Sequence, residues 1–137
     1  MPGQAITATR ALSHAVPLSI SVAVEQLKYD AKQVLRRKAT NDDVIAAAMR
    51  LLPDSTELAV RELNRLGPVG EGEVTRKLTA NHADEEWFDR LHRLQVEALG
   101  QGYDVPQRIF FQLAVRLVLE AGPNALAPPC RGDQPSR

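Results

Sequence analysis

Leu18-Ser19-Ile20-Ser21-Val22-Ala23-Val24 alternates apolar residues with small or polar ones. Read with a period of two, this predicts a half-buried strand, with Leu18, Ile20, Val22 and Val24 inward and Ser19, Ser21 and Ala23 outward. From Glu25 the period changes: Leu27, Ala31, Val34 and Leu35 fall at helical spacing. The helix closes on Arg36-Arg37-Lys38, cations that suit the negative end of its dipole. Thr40 then has the chemistry of an N-cap, with Asp42 and Asp43 in the first turn of a second helix. Ile45, Ala48, Met49 and Leu52 make its apolar face, and Pro53 stops it. A further helix over Thr56 to Leu66 follows a Ser55 cap and ends at Gly67-Pro68, after which Gly70 and Gly72 mark a linker.

The order then recurs. Val74-Thr75-Arg76-Lys77-Leu78-Thr79-Ala80-Asn81 alternates, with Arg76 interrupting the apolar side. Asp84-Glu85-Glu86 open a helix that sets most of Trp87, Phe88, Leu91, Leu94 and Leu99 on its inner face. Gly100 and Gly102 end it. Asp104 is placed to cap the next helix, with Pro106 in its first turn. Ile109, Leu113 and Leu117 form its stripe, widened by Phe110, Val115 and Val118, so the helix is expected to be buried on most sides. The offset between repeats is 58 residues from Ile20 to Leu78 and 64 from Ile45 to Ile109. The repetition lies in the pattern rather than in the residues. The predicted organisation is therefore a flexible N-terminal arm (1–16), a first strand–helix–helix unit (17–53), a connecting helix and linker (54–73), a second unit (74–122) and a disordered, proline-rich tail (123–137). Within the arm, Ala5 to Arg10 also alternate.

Composition narrows the function classes. Apolar residues make up 44% of the 137, enough for a core, but aromatics are only 4%, so aliphatic side chains must fill it. The formal net charge is zero, yet unevenly distributed: residues 17–52 hold six cations against four acids, residues 53–73 two against five, and residues 74–122 six against seven. Binding to a polyanion depends on one charged face rather than on the total. The single cysteine, Cys130, rules out a disulfide framework within one chain and fits a reducing cytoplasm. No apolar run suits a signal peptide or a membrane span. His14, His82 and His92 lack metal-ligand spacing, Gly67 to Gly72 lacks the Lys and Ser/Thr of a nucleotide loop, and no nucleophile–base set stands out. Trp87 and Phe88 read as core. No catalytic residue, metal or cofactor is expected, and the chain is not read as an enzyme.

A lone strand leaves its backbone donors and acceptors unpaired. Two units in one chain solve this by pairing their strands antiparallel over a common helical core. The fold class expected is mainly α with a two-stranded antiparallel ribbon. Such a ribbon fits the major groove of duplex DNA, where outward side chains reach base edges. The outward set would be Ser19, Ser21 and Ala23 on one strand, and Thr75, Lys77, Thr79 and Asn81 on the other. Helix starts at Thr40-Asn41 and at Tyr103-Asp104 would offer free amides to phosphate on either side.

The run Lys38-Ala39-Thr40-Asn41-Asp42-Asp43-Val44-Ile45, after an alternating strand and an amphipathic helix, resembles the turn and second helix of the ribbon–helix–helix superfamily. The tandem layout over roughly residues 17–121 is similar to single-chain accessory proteins of conjugative DNA transfer, namely relaxosome proteins of the TraY type and the VirC-operon protein that binds the enhancer beside T-DNA borders. The near-neutral charge and the small residues Ser19, Ser21 and Ala23 depart from that pattern. The resemblance implies a tandem ribbon–helix–helix pseudo-dimer in one chain. It further implies a cytoplasmic DNA-binding accessory of plasmid or conjugative-element transfer. Its partners would be double-stranded DNA and a relaxase or partition-type ATPase, with no membrane role. The chain would be a monomer or a weak higher assembly on DNA. The alternatives are a transcriptional autorepressor or antitoxin and, from another class, a helical protein-interaction module without DNA binding.

Overall fold

The computed structural model describes residues 10–127. The elements in order are strand β1 (Arg10–Pro17), helices α1 (Leu18–Leu35), α2 (Asn41–Leu51) and α3 (Thr56–Leu66), strand β2 (Thr75–Ala83), helices α4 (Glu85–Gly100) and α5 (Gln107–Ala121), and a 3₁₀ turn (Pro123–Leu126). The strands form one two-stranded antiparallel sheet, with Ser13 opposite Thr79, His14 opposite Leu78, Ala15 opposite Lys77 and Pro17 opposite Thr75. An irregularity between Arg10 and Leu12 breaks the register at the far end. The protein is thus mainly helical with a single ribbon, as its patterning predicts.

The first strand lies elsewhere than predicted. Leu18–Val24 is the opening of α1, and the residues assigned to a flexible arm, from Arg10 on, form β1. Residues 1–9, including most of the alternation from Ala5, lie outside the described residues. Ile20 and Val24 satisfy a period of two and equally a period of 3.6. Continued as a helix, they join Leu27 and Ala31 in one buried stripe. Val22, which the strand reading turns inward, is 60% exposed. Pro17 contributes the break: its φ of −60° and ψ of 152° end the extended chain one residue before the helix. Glu73, reaching over from the linker, then caps the start of α1, accepting from the Ser19 amide at 2.7 Å and from Ser19 Oγ at 3.1 Å.

In β1 the alternation is Leu12, His14 and Val16 inward, Ser13 and Ala15 outward. His14 disguises it, because a polar letter stands where the pattern needs an apolar one. Its ring packs 5.0 Å from that of Phe111 on the underside of the ribbon. Burial, and secondarily the charge of Arg108, lowers its pKa from the ordinary histidine value.

Beneath the ribbon, α2 packs against α5; α2 also runs under β2 and α5 under β1. Phe110, Phe111, Leu113, Ala114, Val115 and Val118 of α5 are all buried, so this helix is enclosed on most sides as its composition requires. Ile45 and Met49 from α2 and Leu91 and Leu94 from α4 complete the centre. Trp87 and Phe88 pack partly buried at its margin, whereas Leu99, expected inside, is 62% exposed. Helix α3 spans the predicted residues, with Ser55 Oγ accepting from the Leu58 amide. The predicted tail begins as an ordered turn whose Leu126 is buried; residues 128–137, with Cys130, lie outside the described part. The linker after α3 passes close over the end of the ribbon. At Gly70, with φ of 78°, a Cβ would collide with the Pro17 ring.

Candidate nucleic-acid interface

The upper face of the ribbon carries Ser13 and Ala15 from β1 and Thr75, Lys77 and Thr79 from β2, with Asn81 exposed at the irregular end. Ser13 Oγ and Thr79 Oγ1 share a cross-strand hydrogen bond of 2.8 Å. Lys77 stands opposite Ala15, a small residue, and is exposed. Leu78 and Ala80 face the core, so the predicted parity of β2 is the observed one. Ser19, Ser21 and Ala23 are not on this face. They belong to α1, and Ser13 and Ala15 occupy the place assigned to them. Sequence reading missed Ser13, Ala15 and Arg10; the available signal was Leu12/His14/Val16 ending at Pro17.

At one end, Arg10 places its guanidinium 3.7 Å from the centre of the Phe88 ring and 3.0 Å from Glu85. Along one flank runs the start of α2. Asp42 accepts from the amides of Asn81 and His82 at 2.8 and 2.9 Å, tying this helix terminus to β2. Thr40 and Asp43 form a reciprocal capping box. Arg37 grips Asp43 through both terminal guanidinium nitrogens at 2.7 and 2.8 Å. Chiefly through that hydrogen bond, the Asp43 carboxyl is held at about 2. Asn41 Oδ1 accepts from Lys28 Nζ at 2.8 Å. The Thr40 hydroxyl and the Asn41 carbonyl are therefore engaged within the protein.

The other flank differs from expectation. Helix α5 starts at Gln107 behind Pro106 and has no side-chain cap, so Asp104 stands in the preceding loop. Tyr103 and Asp104 are exposed, and neither hydrogen-bonds to the ribbon among the described residues. The first turn of α5 is nonetheless beneath β1. Arg108 is close enough to His14 to act on its titration, and Gln112 Nε2 donates to the Ala15 carbonyl at 2.8 Å.

Most cations are consumed internally. Arg90 donates to the carbonyls of Met49 and Leu52 at the end of α2, Arg116 to those of Leu66 and Gly67 at the end of α3, and Arg50 to those of Ala125 and Ala127. Arg65 bridges Glu62 and Glu120, and Arg93 holds Asp54. Among the described residues, the lysines and arginines without a side-chain hydrogen bond or ion pair are Lys32, Arg36, Lys38, Arg76, Lys77 and Arg108. Arg76 and Lys77 lie on the ribbon, and the others lie at the two helix junctions beside it.

Among the described residues no group of three His, Cys, Asp or Glu gathers as metal ligands, and no helix is long and apolar enough to cross a membrane. No protein-family model, curated protein or solved structure matches this chain.

Proposed function

We propose that the protein binds double-stranded DNA by laying the upper face of the β1–β2 ribbon in the major groove, as a tandem ribbon–helix–helix unit folded within one chain. The observation that carries this reading is the distribution of uncommitted cations: those that remain after internal pairing are on the ribbon or at the helix junctions flanking it. Hydroxyls at Ser13, Thr75 and Thr79 and the ammonium of Lys77 have the hydrogen-bonding chemistry for base edges. The spacing of elements supports the tandem reading. The start of α1 at Leu18 and of α4 at Glu85 are 67 residues apart, and the starts of α2 at Asn41 and α5 at Gln107 are 66 apart. With the first strand at Arg10–Pro17 the repeat is more even than the patterning predicts.

The two halves of the ribbon differ: β1 offers small side chains and β2 offers Lys77. Such a surface suits a site without two-fold symmetry, which favours a DNA-transfer accessory over a repressor built from two identical chains. Selection of bound duplexes from a random library tests both statements. An enriched, non-palindromic motif with salt-dependent affinity is expected. No enrichment, and no binding at low salt, would refute the proposal; a palindromic motif would refute the transfer-accessory reading alone.

A further inference from the structure

The two flanks of the ribbon are unequal in charge. Residues 28–38, the second half of α1 and its exit, hold Lys28, Lys32, Arg36, Arg37 and Lys38 against a single acid, Asp30. The corresponding stretch 95–105, at the end of α4, holds no cation and two acids, Glu97 and Asp104. The acids that follow the basic stretch are occupied: Asp42 by the amides of β2, Asp43 by Arg37 and Thr40. Lys28 is occupied too, by Glu25 and Asn41. Lys32, Arg36 and Lys38 are exposed and have no side-chain partner among the described residues, with Tyr29 (74% exposed) among them.

Arg36 supplies a second observation. It is the residue following α1, its amide closing on the Lys32 carbonyl at 2.8 Å, and its φ of 59° makes it the one non-glycine among the described residues with positive φ. Glycine is the common choice there, because a side chain in the left-handed region is strained. A long cation stands at a position where the backbone favours glycine.

We infer that Lys32, Arg36 and Lys38 form a one-sided phosphate-binding surface that extends DNA contact past the α2 flank of the ribbon and gives the bound complex a fixed direction. The inference rests on the proposed DNA binding. DNA is the polyanion favoured because Asp42 anchors this junction directly to β2, so a backbone bordering a groove-bound ribbon passes beside it. Each phosphate neutralised releases counterions, so the surface adds affinity independent of sequence.

The test compares the full chain with Lys77→Ala and with the triple variant Lys32→Ala/Arg36→Gly/Lys38→Ala on a labelled random-sequence 30-base-pair duplex across a salt series. For the triple variant the slope of log affinity against log salt should become shallower by about 2–3, and affinity near 0.1 M salt should fall roughly 10- to 500-fold. Arg36→Gly alone should bind less tightly while melting at the same or a higher temperature, a combination that a structural role for Arg36 does not produce. On a selected site, hydroxyl-radical protection should reach further on one side of the ribbon contact, and the triple variant should lose that extension. If the Lys77→Ala variant weakens binding but the triple variant keeps the wild-type slope, the basic surface is refuted and the ribbon reading stands. If the triple variant loses binding and Lys77→Ala changes nothing on either the random duplex or the selected site, the basic surface stands and the ribbon reading falls. If the wild-type chain binds no duplex, both fall.

Discussion

Lys77 is the side chain on which the proposed reading face depends most. It is a long cation, opposite a methyl group, with no hydrogen-bond or ion-pair partner among the described residues. Lys77→Ala is expected to cost about 1–3 kcal/mol in specific DNA binding with no loss of fold. Fluorescence anisotropy on matched and mutated sites should place the loss at one base pair if the ammonium reads a base, and spread it evenly if it touches phosphate. Asp43 makes a different kind of prediction. Its carboxyl is held at about 2, below the ordinary carboxylate range, so the ionised form is favoured in the fold. The stability it contributes is complete above about pH 4 and disappears as pH falls toward 2. Asp43→Asn should lower stability at neutral pH by about 1 kcal/mol, by weakening the capping box and the Arg37 pair. The variant should also show a smaller decline between pH 4 and pH 2 in denaturant titrations. At this scale the sequence is legible where a residue and its neighbours agree. Thr75, Lys77 and Thr79 alternate with Arg76, Leu78 and Ala80, and Leu78 and Ala80 mark the inner side although Arg76 interrupts it. His14 was illegible because imidazole is written as polar, and only the presence of Phe111 beneath it makes the position an interior one.

Among elements, the short helices were the easiest to read. Helix α3 has a serine cap, a glycine stop and one apolar stripe, all local signals, and α2 has Thr40 and Pro53 at its ends. The start of α1 was not legible, since Ile20 and Val24 fit strand and helix equally and the arbiter is whether Val22 faces in. It faces out. Ile20→Asp should therefore destabilise the protein by several kcal/mol, because it buries an unpaired carboxylate where the side chain is 4% exposed. Val22→Asp should stay within about 0.5 kcal/mol of wild type. Equal damage from both substitutions in thermal melts would return this segment to a strand. The neutral total charge also becomes intelligible once elements are in place. Arg50, Arg90 and Arg116 satisfy carbonyls that helix ends leave open, so they count in the composition and contribute little to an outward field.

For the molecule as a whole, the long separation between β1 and β2 is the governing fact. Helices α1, α2 and α3 lie between the two strands in the chain, so closing the ribbon is a non-local contact. The melting temperature should be independent of protein concentration over a hundredfold range, because strand pairing is intramolecular. A midpoint that rises with concentration would show that the ribbon is completed by a second chain.

Covalent linkage of the strands has a consequence for how the two faces can diverge. Two separate subunits with unlike strands would assort at random, so that each would also pair with itself and most mixtures would contain the unwanted symmetric species. A linker through Gly70 and Glu73 removes that lottery. Every folded molecule carries one β1 and one β2, always in the same arrangement, and a substitution in either half is expressed once per molecule rather than twice. The left and right edges of the ribbon are consequently free to acquire different chemistries, one beside the five clustered cations at the end of α1 and the other beside an α4 end that holds none.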